Sequence, residues 1–338
     1  MINLKLSNLI TTVDAHTAGE PVRVVIGGIP RIIGNNILEK KEYFAKNYDH
    51  IRRLLMFEPR GHKDMYGAIL TEPTREDCDF GVIFLDSGGY LDMCIHGCIG
   101  IVKVLLEIGM IQKKEPVTEV NLDTSAGKVK ALAKIKGENI EEVTIRNVPS
   151  FLAVPDLEIK VPNIGLVKVD IAFGGNFYAI VNSSDLQTGV EMSNAHKLVE
   201  LGLTIRNIVN REVKVQHPLN KSINRVNLVE ICDEPKNPEA TYRNAVIFGA
   251  GQVDRSPCGT GTCAKMATLY GKGQLSVGEE ILSESIIGTL FKGKVVSETK
   301  VGNFKAIVPE ITGKAYITGF HQFVVENGDS LKLSLIHI

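Results

Sequence analysis

Short apolar runs rich in Val and Ile recur along the chain, at 22–26, 81–85, 143–145, 167–171 and 245–248, with glycines between them. Runs of that length predict many short strands separated by tight turns. Helical periodicity is rarer. Spaced apolar positions at 39–55 predict one surface helix, and 193–203 and 205–210 carry weaker helical patterns. Two further segments, 99–108 and 263–270, are apolar nearly all round, interrupted by Lys103 and Glu107 in one and Lys265 in the other. A helix with so narrow a polar face has to be enclosed by other elements, and short strands are what surround it here. The pattern predicts an α+β fold in which a mixed sheet curls around a central helix, twice over.

A short internal match supports the repetition. Cys94-Ile95-His96-Gly97 and Cys258-Gly259-Thr260-Gly261 each open one of the two apolar helices and lie 164 positions apart in a chain of 338. The boundary between the halves is expected in the charged stretch 128–142, and the sequence leaves open which half receives the final strands, 314–319 and 322–325.

Composition narrows the function. Charged residues make up 23%, and 38 Lys+Arg stand against 39 Asp+Glu, so neither nucleic acid nor a membrane surface is expected as partner. No run approaches the eighteen apolar residues of a membrane span, and the N-terminus lacks a charged region leading into an apolar one. A cytoplasmic location is expected. Six Cys in a chain this long make no disulfide framework, which leaves the thiols for chemistry or metal.

Cys94 and Cys258 share one environment: a Gly-rich bend, the thiol, then the first turn of a helix. Unpaired amides and the helix dipole there are expected to lower the thiol pKa and to form an anion site suited to a carboxylate. If the halves face each other, one thiolate can take a proton from the carbon beside a bound carboxylate while the opposite thiol returns one to the other face. A stereocentre is thereby inverted. No dinucleotide or phosphate-loop fingerprint is present, and no Lys is placed for a Schiff base, so no cofactor is expected. The competing reading takes Cys94, Cys98, Cys258, Cys263 and His96 as a structural zinc set, or the close Cys pairs as redox couples. Their spacings miss the two-residue interval of the strongest thiol motifs.

These motifs resemble those of the proline racemase family, which includes the 4-hydroxyproline epimerases and shares the two-domain fold of diaminopimelate epimerase. The resemblance spans essentially the whole chain. It rests on Asp14-Ala15-His16-Thr17-Ala18-Gly19-Glu20, Glu58-Pro59-Arg60-Gly61-His62-Lys63-Asp64-Met65, Gly88-Gly89-Tyr90 running into Cys94, Pro238-Glu239-Ala240-Thr241-Tyr242, and Asp254-Arg255-Ser256-Pro257-Cys258-Gly259-Thr260-Gly261-Thr262. The resemblance implies that Cys94 and Cys258 are the acid/base pair, that amides of Ile95, His96, Gly259 and Thr260 hold the carboxylate, and that Asp254 meets the substrate amine. It also implies a cofactor-free, metal-free homodimer whose C-terminal strands, 315–338, complete a first domain of 1–140 against a second of 141–314.

Ile95 departs from the family, which usually has Gly after the first thiol, and adds bulk beside the ligand. Relatives that dehydrate trans-3-hydroxyproline typically carry Thr where Cys258 stands. Phe248 resembles an aromatic pocket residue of proline racemases and offers a ring hydroxyl no partner, at a penalty of about 1–3 kcal/mol. Proline is therefore the expected substrate, with 4-hydroxyproline the alternative. His16 is expected to be a structural turn residue, and His62 a polar loop residue.

Overall fold

A computed structural model describes residues 6–333 of the chain; the ends of the stretches 1–140 and 315–338 fall outside them. The first half runs β1 (Leu6–Thr17), β2 (Glu20–Gly27), α1 (Ile37–Met56), β3 (Tyr66–Thr71), β4 (Phe80–Asp86), β5 (Tyr90–Leu91), α2 (Ile95–Glu107), β6 (Val117–Thr124), β7 (Gly127–Lys136) and β8 (Asn139–Arg146). The second runs β9 (Ser150–Val161), β10 (Gly165–Phe173), β11 (Phe177–Asn182), α3 (Ala195–Glu212), β12 (Val226–Asp233), β13 (Tyr242–Phe248), β14 (Gln252–Asp254), α4 (Gly259–Gly271), β15 (Glu280–Ser285), β16 (Leu290–Val301) and β17 (Phe304–Gly313). A last strand, β18 (Ala315–Glu326), follows.

The halves repeat strand for strand. Parallel neighbours need a crossover, and the four helices supply four of them. The parallel pairs β2 with β3 and β4 with β6 recur as β11 with β12 and β13 with β15. Every other pairing within the repeat is antiparallel, as in β3 with β4 and β12 with β13. β18 lies antiparallel to β1, the place that β9 takes beside β10 in the second half. β17 pairs with β8 as well as with β9, which joins the halves through one continuous sheet. The architecture is α+β with two pseudo-symmetric units, each a curled mixed sheet around a central helix.

The central helices are α2 and α4. Every residue of α2 from Ile95 to Leu106 is buried except Lys103, which reaches Glu107 at 2.6 Å along the one polar edge. α4 buries nine residues between Gly259 and Thr268. Both belong to one apolar core with the inner sheet faces, whereas α1 and α3 cover outer faces with clusters of their own. Asn36 caps α1 by accepting from the Glu39 amide at 2.9 Å.

One local expectation is corrected, and the stretch expected to hold the boundary between the halves takes a definite form. The segments 193–203 and 205–210 form the single helix α3; Gly202 does not break it, because a Cβ there would lie 2.5 Å from the Ile247 side chain and the glycine lets α3 close on β13. The charged stretch 128–142 is the β7–β8 hairpin, whose Val129, Ala131, Ala133 and Ile135 point inward while the lysines between them face out.

Candidate active site

α2 and α4 begin side by side where the two halves meet. Cys94 is the N-cap of α2, and its Sγ accepts from the Gly97 amide at 3.2 Å. Ile95 and His96 follow in the first helical turn, so their amides have no intrahelical partner. Cys258 precedes α4 with φ 55° and ψ 96°, a conformation rare for a residue with a side chain, and its thiol makes no cap bond. Such backbone strain costs about 1–3 kcal/mol and persists where the surroundings impose it. Here Ser256 Oγ accepts from the Cys258 amide at 3.1 Å, and the Pro257 carbonyl accepts from Asn244 Nδ2 at 2.9 Å and Thr262 Oγ1 at 3.1 Å.

Both thiols line one cavity where the halves meet. Its walls include all eight residues singled out from the sequence: Cys94, Ile95, His96, Phe248, Asp254, Cys258, Gly259 and Thr260. Asp254 is buried; its Oδ1 accepts from the Ser256 amide at 2.8 Å and from Ser256 Oγ at 2.7 Å. Its Oδ2 lies 4.0 Å from His96 Nδ1, which in turn lies 3.2 Å from Cys94 Sγ. Burial lowers the pKa of His96, favouring the neutral ring.

Sequence reasoning did not find Tyr66 and Tyr178. Tyr178 Oη lies 3.4 Å from Cys258 Sγ and 2.5 Å from Thr260 Oγ1, and the Tyr66 hydroxyl stands beside Cys94. Each is an aromatic residue in an apolar strand, Tyr178 directly after Phe177, a pattern that reads as core. The nearby Glu20 lies in a motif quoted above but had no role assigned. It is fully buried, and its Oε2 accepts from the Arg255 amide at 2.8 Å, tying the first half to the second.

The thiols themselves correct an expectation. Burial pushes both pKa values up, not down. At Cys94 the Tyr66 hydroxyl and the Gly97 amide favour the thiolate but do not offset burial, and Asp254 and Glu20 add to the rise. At Cys258, Asp254 is the next cause after burial, and Glu230 adds to it against Tyr178. The helix-start amides act as foreseen, but desolvation in the closed cavity outweighs them.

Ile95 occupies a helical position, so it needs no positive φ, and its bulk is met by a glycine: a Cβ on Gly259 would lie 2.4 Å from Ile95 Cβ. His16 lies within β1 and not in the turn after it, and its Nδ1 accepts from the Gly19 amide of that turn at 3.3 Å. His62 is in a loop, accepting from the Asp64 amide at 3.2 Å. Cys98 and Cys263 are fully buried. Among the described residues all six cysteines are free thiols, and no group of three or more His, Cys, Asp or Glu side chains is arranged to hold a metal ion. No described helix is long and apolar enough to cross a membrane.

Known proteins resemble this chain in sequence and fold. The family model described as proline racemase matches residues 12–334. The chain is 53% identical over 330 residues to proline racemase of Acetoanaerobium sticklandii, covering 97% of this chain and 98% of that protein. It is 52% identical over 333 residues to proline racemase of Clostridioides difficile, covering 98% and 99%. A crystal structure of a hydroxyproline epimerase from Agrobacterium vitis with bound trans-4-OH-L-proline superposes with a TM-score of 0.93 at 33% identity, covering 99% of this chain and 97% of that one. The chain thus belongs to the proline racemase family and is an isomerase of the racemase and epimerase type.

Proposed function

We propose that the protein interconverts L-proline and D-proline without a cofactor, using Cys94 and Cys258 as its two acid/base groups. The observation that carries the reading is the pair of buried thiols, each heading a central helix, on the walls of one cavity. The carboxylate of proline lies on the free amides of Ile95, His96, Gly259 and Thr260, where two helix dipoles meet it. The ring ammonium faces Asp254 Oδ2, the oxygen that Ser256 leaves free. Cα then stands between the thiols, and one takes its proton while the other delivers one to the opposite face.

The raised thiol pKa values fit this order of events. A buried thiol surrounded by carboxylates resists ionisation until the substrate ammonium enters and offsets their charge. Besides Tyr66, Tyr178 and Asn176, apolar residues line the rest of the cavity: Leu91, Met93, Leu228 and Phe248. A 4-hydroxyl placed against them would lose its water without gaining a partner, so proline is favoured over 4-hydroxyproline. The reading includes a homodimer in the cytoplasm, and a first domain of 1–140 completed by 315–338 against a second of 141–314. The pairing of β18 with β1 supports that division.

Chiral chromatography of L-proline, D-proline and trans-4-hydroxy-L-proline incubated with the protein tests the reading. Proline should racemise in both directions with the higher kcat/KM, and Cys94→Ser and Cys258→Ser should each abolish it, since a hydroxyl supplies no base at neutral pH. Near-native racemisation by either variant would end the two-thiol reading, and faster turnover of the hydroxylated substrate would reassign the specificity.

A further inference from the structure

The two halves share their strand plan but not their chemistry beneath the thiols. In the register of the repeat, Ala68 opposite Phe84 holds the place that Glu230 opposite Val246 holds in the second half. By the same register Val82 and Phe80 correspond to Asn244 and Tyr242. The first half is therefore apolar where the second carries a buried Glu, Asn and Tyr.

Glu230 has no exposure to solvent. Its Oε1 accepts from Asn244 Nδ2 at 2.7 Å and from Tyr242 Oη at 3.3 Å, while Oε2 has no hydrogen-bond partner. That free oxygen is aimed at the Cys258 turn. The point where a Cβ of Gly261 would stand is 3.3 Å from Glu230 Oε2 and 3.2 Å from Cys258 Sγ. At the equivalent Gly97 the same point is 3.1 Å from Cys94 Sγ and 3.1 Å from the Phe84 ring. One thiol thus has an aromatic edge where the other has a carboxyl group. Asn244 also bonds the Pro257 carbonyl, so the carboxyl is tied to the strained turn that carries Cys258. Cys94 accepts a cap bond from the Gly97 amide and lies against His96, whereas at Cys258 the Gly261 amide favours the thiolate without a cap bond being made.

We propose that Glu230 is a positioning residue that makes the two thiols unequal. Its carboxylate, one glycine away from Cys258, opposes the thiolate there, so Cys94 is the first of the two thiols to ionise. The inference rests on the two-thiol reading and adds an order to it. Other groups face Glu230 as well: Lys265 and Cys263 from α4, Asp254 from β14, Tyr178 from β11, Tyr242 from β13 and Cys232 on its own strand. Lys265 is the one cation among them and favours the carboxylate. Asp254 also opposes the Cys258 thiolate, but it opposes the Cys94 thiolate as well, so it does not set the two thiols apart as Glu230 does.

The equilibrium constant of racemisation is unity, so kcat/KM is equal in the two directions at every pH and cannot report the inequality. Labelling can. Iodoacetamide reacts with thiolates, and peptide mass spectrometry gives the initial alkylation rate of Cys94 and Cys258 separately as pH is varied. In the unmodified protein Cys94 should react at the lower pH midpoint. Glu230→Gln keeps the acceptor for Asn244 and removes the charge; it should bring the Cys258 midpoint down by about one unit, an approximately tenfold faster reaction at pH 8, with Cys94 unchanged. Glu230→Asp keeps the charge and should hold Cys258 near its original rate. An unmoved Cys258 midpoint in Glu230→Gln would overturn the proposal, as would an equal acceleration in Glu230→Asp. Should Glu230→Gln fail to fold, the order of the two midpoints in the unmodified protein decides, and Cys258 ionising first would refute it. Labelling reports each thiol whether or not turnover needs it, so this failure is distinct from racemisation surviving in Cys94→Ser.

Discussion

Replacing Gly259 with Ala should separate the two helix starts that frame the cavity. The new Cβ would stand 2.4 Å from both Cβ and Cγ2 of Ile95, whereas carbon atoms pack at about 3.5–4.0 Å. The obstruction is at the base of a β-branched side chain, so no rotamer change relieves it. α2 and α4 must part by about 1 Å, at an overpacking cost of about 1–3 kcal/mol. A displacement of that size between reacting groups reduces turnover by about 100-fold. Polarimetry of L-proline racemisation, with urea denaturation on the same samples, measures both effects. Ile95→Gly added to Gly259→Ala should recover at least about tenfold of the lost kcat, because it removes the atoms that collide. Activity of Gly259→Ala within about threefold of the parent would refute the close approach, as would a double variant no better than the single one.

Phe248→Ser should lower kcat/KM for proline more than for trans-4-hydroxy-L-proline and narrow their ratio by about tenfold, as measured by chiral chromatography; an unchanged ratio would remove Phe248 as the discriminating wall. Burial pushes Glu230 up to about 7 from an ordinary 4.5. The folded state therefore holds this proton more tightly than the unfolded state, and stability falls as pH rises from 4.5 through 7, then levels off. The cost above that window is about 3 kcal/mol. Urea denaturation should show Glu230→Gln gaining stability relative to the parent at pH 8 compared with pH 5, and a difference that does not change with pH would contradict the assignment.

Much of the site is legible in the chain because it is local. A thiol followed by a glycine-bearing first turn and an all-round apolar helix announces a buried helix with a functional start, and this occurs at both Cys94 and Cys258. Residues whose role depends on strand pairing are not legible in the same way. Tyr66, Tyr178 and Glu230 each interrupt or extend an apolar strand, and only the register places them beside a thiol. The run 128–142 shows the converse: alternating lysines resemble a solvated linker until the intervening Val and Ala residues are seen to face the core. The direction of the thiol pKa change escapes the sequence for a related reason. Helix-start amides are evident in sequence, whereas the desolvation that outweighs them comes from two halves closing over one cavity. β18 reaches β1 from the other end of the chain, a pairing that no local pattern specifies.

The two-thiol mechanism is tested most directly by racemisation in D2O. Cα-protonated L-proline is incubated with the enzyme and sampled at low conversion, and the deuterium content of each enantiomer is measured by mass spectrometry after chiral separation. Each thiol holds one proton and serves one face, so the D-proline formed early should carry deuterium at Cα while the remaining L-proline stays almost fully protiated. Early D-proline retaining mostly its original protium would mean that a single group carries the proton across, and would contradict the mechanism.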